Sequence, residues 1–237
     1  MNLKSYQLSD SQIEQLKTGI KSSLSIPLID SLEDFIWEAI FCYAKGVELV
    51  DPLFTLRKKL LFDVVDKPSK IGWSAKSLQC NIYEKCEFEL VIQRADIFKK
   101  QKELGFDNLT KETDPNTLGE ALLVHWHKKV IEDAKVQEVE DFRVCVLLKT
   151  SDNTKYAYFE EDLALYSKDD LYWRWTNDTK TGLQGVRKSD DFVVYRWYPN
   201  QKQFFERFKL YDNASIINLE IERKSMEELI NLLGFKK

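Results

Sequence analysis

Cysteine is sparse in this chain of 237 residues, and its pattern excludes the usual cysteine-based sites. Cys42, Cys80, Cys86 and Cys145 form no CxxC pair. The two middle cysteines are separated by five residues, which fits no common zinc spacing. We therefore expect reduced thiols, as is usual in the cytoplasm, and no disulfide framework.

Long apolar runs are also missing. The opening residues, MNLKSYQ, contain no apolar segment of the kind that a secretory signal needs. Nowhere does the chain approach the roughly 18 uncharged apolar residues that a membrane-spanning helix requires. The sequence predicts a soluble, cytoplasmic protein without a membrane partner.

The common motifs of nucleotide and hydrolase sites are absent as well. The chain has no GxxxxGK[ST] loop, GxGxxG turn, GxSxG elbow or HExxH helix. His125 and His127 stand two residues apart in a predicted helix, so their imidazoles should point to different sides and not form a metal pair.

What the chain does contain is a large apolar fraction. Hydrophobic residues make up 43% of the sequence and aromatic residues 13%, enough to bury a sizeable core, and we expect residues 1–237 to form a single domain. The net charge of −4 gives no overall attraction to nucleic acid. Any contact with a polyanion must come from a local basic surface.

Apolar periodicity and turn residues predict helices alternating with strands. Helices are expected over 9–25, from a cap at Ser31 to Gly46, and over 87–104, 117–134 and 225–233. Strands are expected over 58–65, 71–78, 142–148, 156–159, 171–175 and 192–198. This order favours an α/β (α+β) fold with a central mixed sheet, flanking helices and a β-rich C-terminal half.

Two charges interrupt the first predicted hairpin. Asp63 lies inside one apolar strand and Lys76 inside the next, on either side of the turn at 67–70. A carboxylate in an apolar strand costs several kcal/mol unless it is paired or binds a metal. Across an antiparallel ladder the two side chains should lie near each other and could face one cation or phosphate site.

This hairpin resembles the PD-(D/E)XK nucleases, and in particular type II restriction endonucleases, over roughly residues 30–100. Asp63 occupies the position of the family's first aspartate, and Ser74-Ala75-Lys76 the position of its acid-X-lysine triplet. Serine stands where the family usually has an acid. A subgroup with serine there takes its carboxylate from a glutamate about a dozen residues after the lysine, and Glu89 lies 13 residues after Lys76.

The resemblance implies a restriction-endonuclease-like fold with its catalytic core in residues 30–150, and Mg²⁺-dependent hydrolysis of double-stranded DNA at a short specific sequence. Asp63 and Glu89 would bind the metal, Lys76 would orient the attacking water, and Ser74 and Glu38 would complete the catalytic set. Asp66 and Glu87 remain open as replacements for Asp63 and Glu89. Cleavage of a palindrome implies a homodimer, with a cognate methyltransferase acting on the same site.

DNA recognition is expected in the β-rich part, residues 155–210. Within 171–209, eight basic residues stand against four acidic ones, a local charge of +4. Arginine, lysine, glutamine and threonine supply phosphate contacts and base-reading groups. The candidates are Arg94, Arg174, Lys180, Thr181, Gln184, Arg187, Lys188, Arg196, Gln201, Lys202 and Gln203.

Plainer interpretations exist for both features. Asp63 and Lys76 could form an ordinary cross-strand ion pair, and the basic segment could be a solvated β-rich face over core aromatics. The alternative functions are then a non-catalytic module that binds nucleic acid or protein, or a structure-specific repair nuclease of the same fold.

Overall fold

A computed structural model of the chain describes residues 3–49, 60–83, 86–210 and 212–234. Its helices are α1 (Asp10–Leu24), α2 (Asp34–Lys45), α3 (Ile97–Lys100), α4 (Pro115–Gln137) and α5 (Met226–Leu232), and Gln101–Leu104 forms a 3₁₀ turn. Its strands are β1 (Ser5–Tyr6), β2 (Val64–Asp66), β3 (Ile71–Gln79), β4 (Glu87–Arg94), β5 (Asp141–Lys149), β6 (Lys155–Asp162), β7 (Leu171–Trp175), β8 (Leu183–Arg187), β9 (Val193–Tyr198), β10 (Gln203–Lys209) and β11 (Ser215–Asn218).

These elements fall into two compact units built from interleaved segments of the chain. We call the first the antiparallel unit, which comprises residues 1–3, 85–135 and 164–210. We call the second the mixed-sheet unit, which comprises residues 4–84, 136–163 and 211–237. The protein is thus a mixed α/β molecule with one sheet in each unit.

The sheet of the mixed-sheet unit has the strand order β1-β6-β5-β3-β2, with β11 also paired to β6. β3 and β5 run parallel, whereas the other pairs are antiparallel. Helices α1 and α2 pack on the face of β3 that carries Trp73 and Ala75, and together they enclose a buried core. Phe41 of α2 stands with its ring centroid 5.6 Å from that of Trp73.

Local sequence explains the ends of these two helices. Ser9 caps α1 with a complete capping box that includes Gln12. Gly46 ends α2 in the left-handed conformation, at φ 69°, which glycine adopts without a steric penalty. Both helices were predicted, but Ser31 is not the cap of α2: Glu33 holds that position and makes no side-chain capping bond.

The antiparallel unit contains a sheet with the strand order β4-β10-β9-β8-β7. Most of α4 belongs to this unit, and Gly119 lies where the helix meets the indole of Trp173. A Cβ atom on Gly119 would come within 2.2 Å of Trp173 Nε1. The glycine is therefore a requirement of packing.

Residues 87–104 do not form the single helix that their apolar spacing predicts. The structure has strand β4 over Glu87–Arg94, and helical turns begin only at Ile97. Phe88 and Val91 fit a helical period, but β4 gains a full ladder with β10, from Lys209 opposite Glu87 to Gln203 opposite Arg94. Pairing with a distant strand decides the conformation.

The other predicted elements are confirmed in position, with ends that differ by a few residues, except the first hairpin strand. That strand was predicted over 58–65, but β2 spans only Val64–Asp66, so Asp63 lies just before the strand and not inside it. The first hairpin strand is described only from residue 60 onward, and its ladder begins at Val64; its predicted start at 58 lies outside the described residues. Among the helices that the structure describes, none is both long and apolar enough to cross a membrane.

Candidate active site

The first hairpin brings together the two charges that interrupt it. Asp63 directly precedes β2, and its backbone N–H donates to the carbonyl of Trp73 at 2.9 Å. Its Oδ2 accepts hydrogen bonds from the amide of Ala75 at 2.9 Å and from Lys76 Nζ at 3.3 Å. The side chains of Asp63 and Lys76 are 24% and 27% exposed, so solvent can reach both.

Ser74 shares a face of β3 with Lys76, because side chains two residues apart on a strand point the same way. Its side chain is buried, at 3% exposure. The triplet predicted at 74–76 therefore presents a buried hydroxyl and a partly exposed ammonium on one side of the sheet.

Glu38 lies on the helix that covers the other side. It is a buried residue of α2, and this helix packs on the face of β3 that carries Trp73 and Ala75. Ser77, on that same face, donates to Asp34 Oδ1 of α2 at 3.5 Å. Strand alternation thus separates the helix of Glu38 from the face that presents Ser74 and Lys76.

Glu89 lies in the antiparallel unit, whereas Asp63 and Lys76 lie in the mixed-sheet unit. It stands on strand β4, so its predicted place on a helix is wrong. Arg196 NH1 lies 3.1 Å from its Oε2, and the hydroxyl of Tyr198 donates to its Oε1 at 3.3 Å. Its carboxylate is already neutralised within its own sheet.

The two replacement candidates also have local partners. Glu87 accepts a hydrogen bond from Arg207 at 2.8 Å across the same ladder. Asp66 accepts one from the hydroxyl of Ser69 in the hairpin turn, as its position beside the turn suggests. Neither carboxylate joins the contact between Asp63 and Lys76.

The described residues offer no large set of ligands for a metal ion. Across residues 3–49, 60–83, 86–210 and 212–234, no three His, Cys, Asp or Glu side chains are grouped so that they could hold an ion. Protein-bound Mg²⁺ often has only one or two carboxylate ligands and completes its octahedron with water and substrate phosphate. Asp63 fits that limited role as a single ligand.

A second group of charges, which the sequence analysis missed, surrounds Glu160 on β6. Its carboxylate is wholly buried and accepts four hydrogen bonds. The donors are Lys45 Nζ at 2.6 Å, Trp73 Nε1 at 2.7 Å, Arg143 NH1 at 3.1 Å and the hydroxyl of Tyr158 at 2.7 Å.

The partners of Glu160 outweigh its burial. Burial acts to raise the pKa of the carboxyl, but Lys45, Trp73 and Tyr158 together hold it below the ordinary value of 4.5. Nearby, burial raises the pKa of the Cys145 thiol well above 9.0, helped by the charges of Glu160 and Asp63. Glu160 is therefore an ionised structural hub, and Cys145 stays a neutral thiol.

The sequence contains a signal for this hub. In the run YAYFEED, Tyr156, Tyr158 and Glu160 alternate, so the glutamate shares the face of two large aromatic residues. A carboxylate on such a face must have buried cationic partners.

The predicted DNA-binding residues divide between a sheet face and turns. Those on the solvent-facing side of the antiparallel sheet are Arg94, Arg174, Gln184, Arg196 and Gln203. The others lie in or beside turns, where several have protein partners. Lys180 binds Glu112, Thr181 binds Asn177, Arg187 binds Asp190 and Lys202 binds Asp96, while Lys188 and Gln201 are exposed turn residues.

The two histidines lie on α4. His125 is buried with its Nε2 3.2 Å from Lys100 Nζ, and burial together with the Lys100 charge lowers the pKa of the imidazole to about 4. Burial also lowers the pKa of His127. Both imidazoles are therefore neutral at pH 7.

Comparison with known proteins adds no relative: no family model, curated protein or solved structure matches the chain. The contact between Asp63 and Lys76 and the surfaces described above are therefore the features of the molecule that bear on its function.

Proposed function

We propose that this protein is a nuclease that hydrolyses phosphodiester bonds in double-stranded DNA with Mg²⁺ as its cofactor. One observation carries the proposal: the carboxylate of Asp63 and the ammonium of Lys76 meet at 3.3 Å in a position that is open to solvent. The restriction-endonuclease-like fold and the homodimer that a palindromic target requires are parts of the same proposal.

The residues of the hairpin have complementary roles in this reaction. The ion, when bound, polarises the scissile phosphate and acidifies a water molecule. Asp63 offers a carboxylate oxygen to the ion, while the amide of Ala75 holds that carboxylate in place at 2.9 Å. Lys76 orients the attacking water and balances the negative charge that develops on the phosphate.

The ion pair between Asp63 and Lys76 should couple the binding of the metal ion to the binding of phosphate. In the free protein Lys76 balances the charge of Asp63, so the ion must compete with an internal ammonium. A phosphate at the site gives the ammonium a second anion and releases the carboxylate for the ion. We therefore expect Mg²⁺ and DNA to bind cooperatively.

The test uses supercoiled plasmid and phage DNA, incubated with the protein in Mg²⁺ or in EDTA. We expect cleavage in Mg²⁺ only, and an Asp63→Asn variant should lose about 100-fold or more of the rate while retaining its far-UV circular dichroism. Glu14→Gln, an exposed carboxylate on α1 paired with Lys17, is the matched control and should cleave normally. Absence of cleavage by the unmodified protein would refute the proposal.

The same assay separates the alternatives. Discrete fragments indicate a site-specific enzyme, and cutting confined to flaps, gaps or junctions indicates a structure-specific repair nuclease. A mobility shift without any cleavage indicates a non-catalytic binding module.

A further inference from the structure

The antiparallel sheet has one buried face and one open face. Trp173, Leu183, Trp197 and Phe204 fill the buried face, each at most 5% exposed. Within each strand, the residues that alternate with these buried ones point to the opposite side of the sheet. We call that opposite side the open face; it comprises the two rows below together with Glu87, Glu89, Arg207 and Lys209.

The strand register sets the side chains of the open face in rows. One row crosses all five strands, because successive partners are directly opposite each other: Arg174, Gln184, Arg196, Phe205 and Val91. The neighbouring row contains Tyr198, Gln203 and Arg94. With strands about 4.8 Å apart, the first row spans roughly 19 Å.

Two aromatic rings lie at the middle of this face. Tyr198 and Phe205 belong to the adjacent strands β9 and β10, are partly exposed, and stand edge to face with their centroids 5.3 Å apart. The Tyr198 hydroxyl accepts a hydrogen bond from Arg196 at 3.1 Å and donates one to Glu89. These contacts fix the orientation of the tyrosine ring while its surface remains accessible.

Cations lie at both edges of the face. Arg174 on β7 and Arg94 on β4 are exposed, and neither forms an ion pair with any residue in the described ranges. The guanidinium of Arg174 lies 5.9 Å from the ring of Tyr172. A free cation on each side of a pair of rings is a feature that ordinary packing does not require.

The charge of the open face is opposite to that of the whole chain. Its five basic side chains exceed its two carboxylates by three charges, although the protein carries a net charge of −4. The basic residues are Arg94, Arg174, Arg196, Arg207 and Lys209, and the acidic ones are Glu87 and Glu89. A polyanion is the partner that this charge complements.

We propose that the open face binds an unpaired nucleic acid strand. Bases stack on Tyr198 and Phe205, Arg94 and Arg174 contact phosphates on either side, and Gln184 and Gln203 offer amides to base edges. A duplex hides the faces of its bases, so it can use the cations but not the rings. The surface belongs to a different unit from Asp63 and Lys76, and the inference does not depend on cleavage.

Fluorescence anisotropy tests the proposal with labelled dT20, the RNA analogue U20, and the dT20·dA20 duplex, all in EDTA and low salt. We expect a single strand to bind at least tenfold more tightly than the duplex, and the two single-stranded probes show whether DNA or RNA is preferred. EDTA suppresses metal-dependent cleavage, so the assay measures binding alone. If no probe binds, the nuclease proposal still stands; if the protein does not cleave DNA, the present proposal still stands.

Variants separate stacking from charge. Phe205→Leu keeps an apolar side chain of similar size but has no ring, and should weaken dT20 binding about tenfold. Arg174→Ala and Arg94→Ala should each lower the slope of log affinity against log salt by about 0.7. Arg223→Ala, which removes an ion-paired surface arginine of the other unit, should change neither quantity.

Three results would overturn the inference. They are equal affinity for single strand and duplex, unchanged binding by the Phe205 and arginine variants, and no binding of any probe. If the face binds an acidic protein but none of the three probes, the inference is overturned in the same way as by the absence of any binding.

Discussion

Glu160→Gln is the substitution whose effect on stability the structure defines most sharply. The change keeps the size of the side chain and removes its charge. Lys45 and Arg143 then lose the anion that balances them, at 2.6 and 3.1 Å, inside the mixed-sheet unit. The loss affects Lys45 more than Arg143, because Arg143 keeps its ion pair with Asp141 at 2.6 Å.

The expected cost follows from burial. The side chain of Glu160 is 0% exposed, and those of Lys45 and Arg143 are only 11% and 14% exposed. Removing one member of a buried ion pair typically costs about 3–5 kcal/mol, because an uncompensated charge stays behind. For a protein of this size the corresponding fall in Tm is about 6–20 °C.

Urea denaturation followed by far-UV circular dichroism at pH 7 measures this loss. Glu140→Gln is the control: its partner Lys70 is 53% exposed and Glu140 itself 71%, so solvent screens that pair and it should contribute little to stability. A Glu160→Gln protein as stable as the Glu140→Gln protein would show that the hub is not an ionised network. The reasoning about Glu160 would then be wrong.

Two further predictions concern the antiparallel unit. Because the pKa of His125 falls from 6.5 to about 4 on folding, its contribution to stability is fully present above pH 6.5 and is lost as the pH falls toward 4. Urea midpoints at pH 7.5 and 5 should therefore differ less in His125→Gln than in the unmodified protein; an equal difference would contradict the assignment. Gly119→Ala should destabilise the protein by about 1–3 kcal/mol, since the new methyl group meets the Trp173 indole, although alanine normally stabilises a helix interior. Thermal unfolding measures the change, and a higher Tm would refute the packing argument.

Local signals in the sequence were sufficient for much of the fold. Ser9 and its capping box mark the start of α1, Gly46 marks the end of α2, and the turn at 67–70 joins two strands that pair in the predicted way. Each of these features depends on residues that are close together in the chain. The contact of Asp63 with Lys76 was predictable for the same reason.

Features that depend on distant segments were not predictable in this way. The segment 87–94 is a strand because β10, more than 100 residues later, pairs with it, and this pairing also places Glu89 beside Arg196. The hub at Glu160 requires Lys45 from α2 and Arg143 from β5, and no spacing in the sequence reveals that association. The rows of the open face likewise follow from strand register alone.

The rate of Mg²⁺-dependent plasmid cleavage by Lys76→Ala tests the central functional claim most directly. Lys17→Ala is its control, since Lys17 is also ion-paired and is 33% exposed, compared with 27% for Lys76. We predict that Lys76→Ala cuts at least about 100-fold more slowly than Lys17→Ala, with both proteins folded. Equal rates for the two variants would contradict a catalytic role for the Asp63–Lys76 pair.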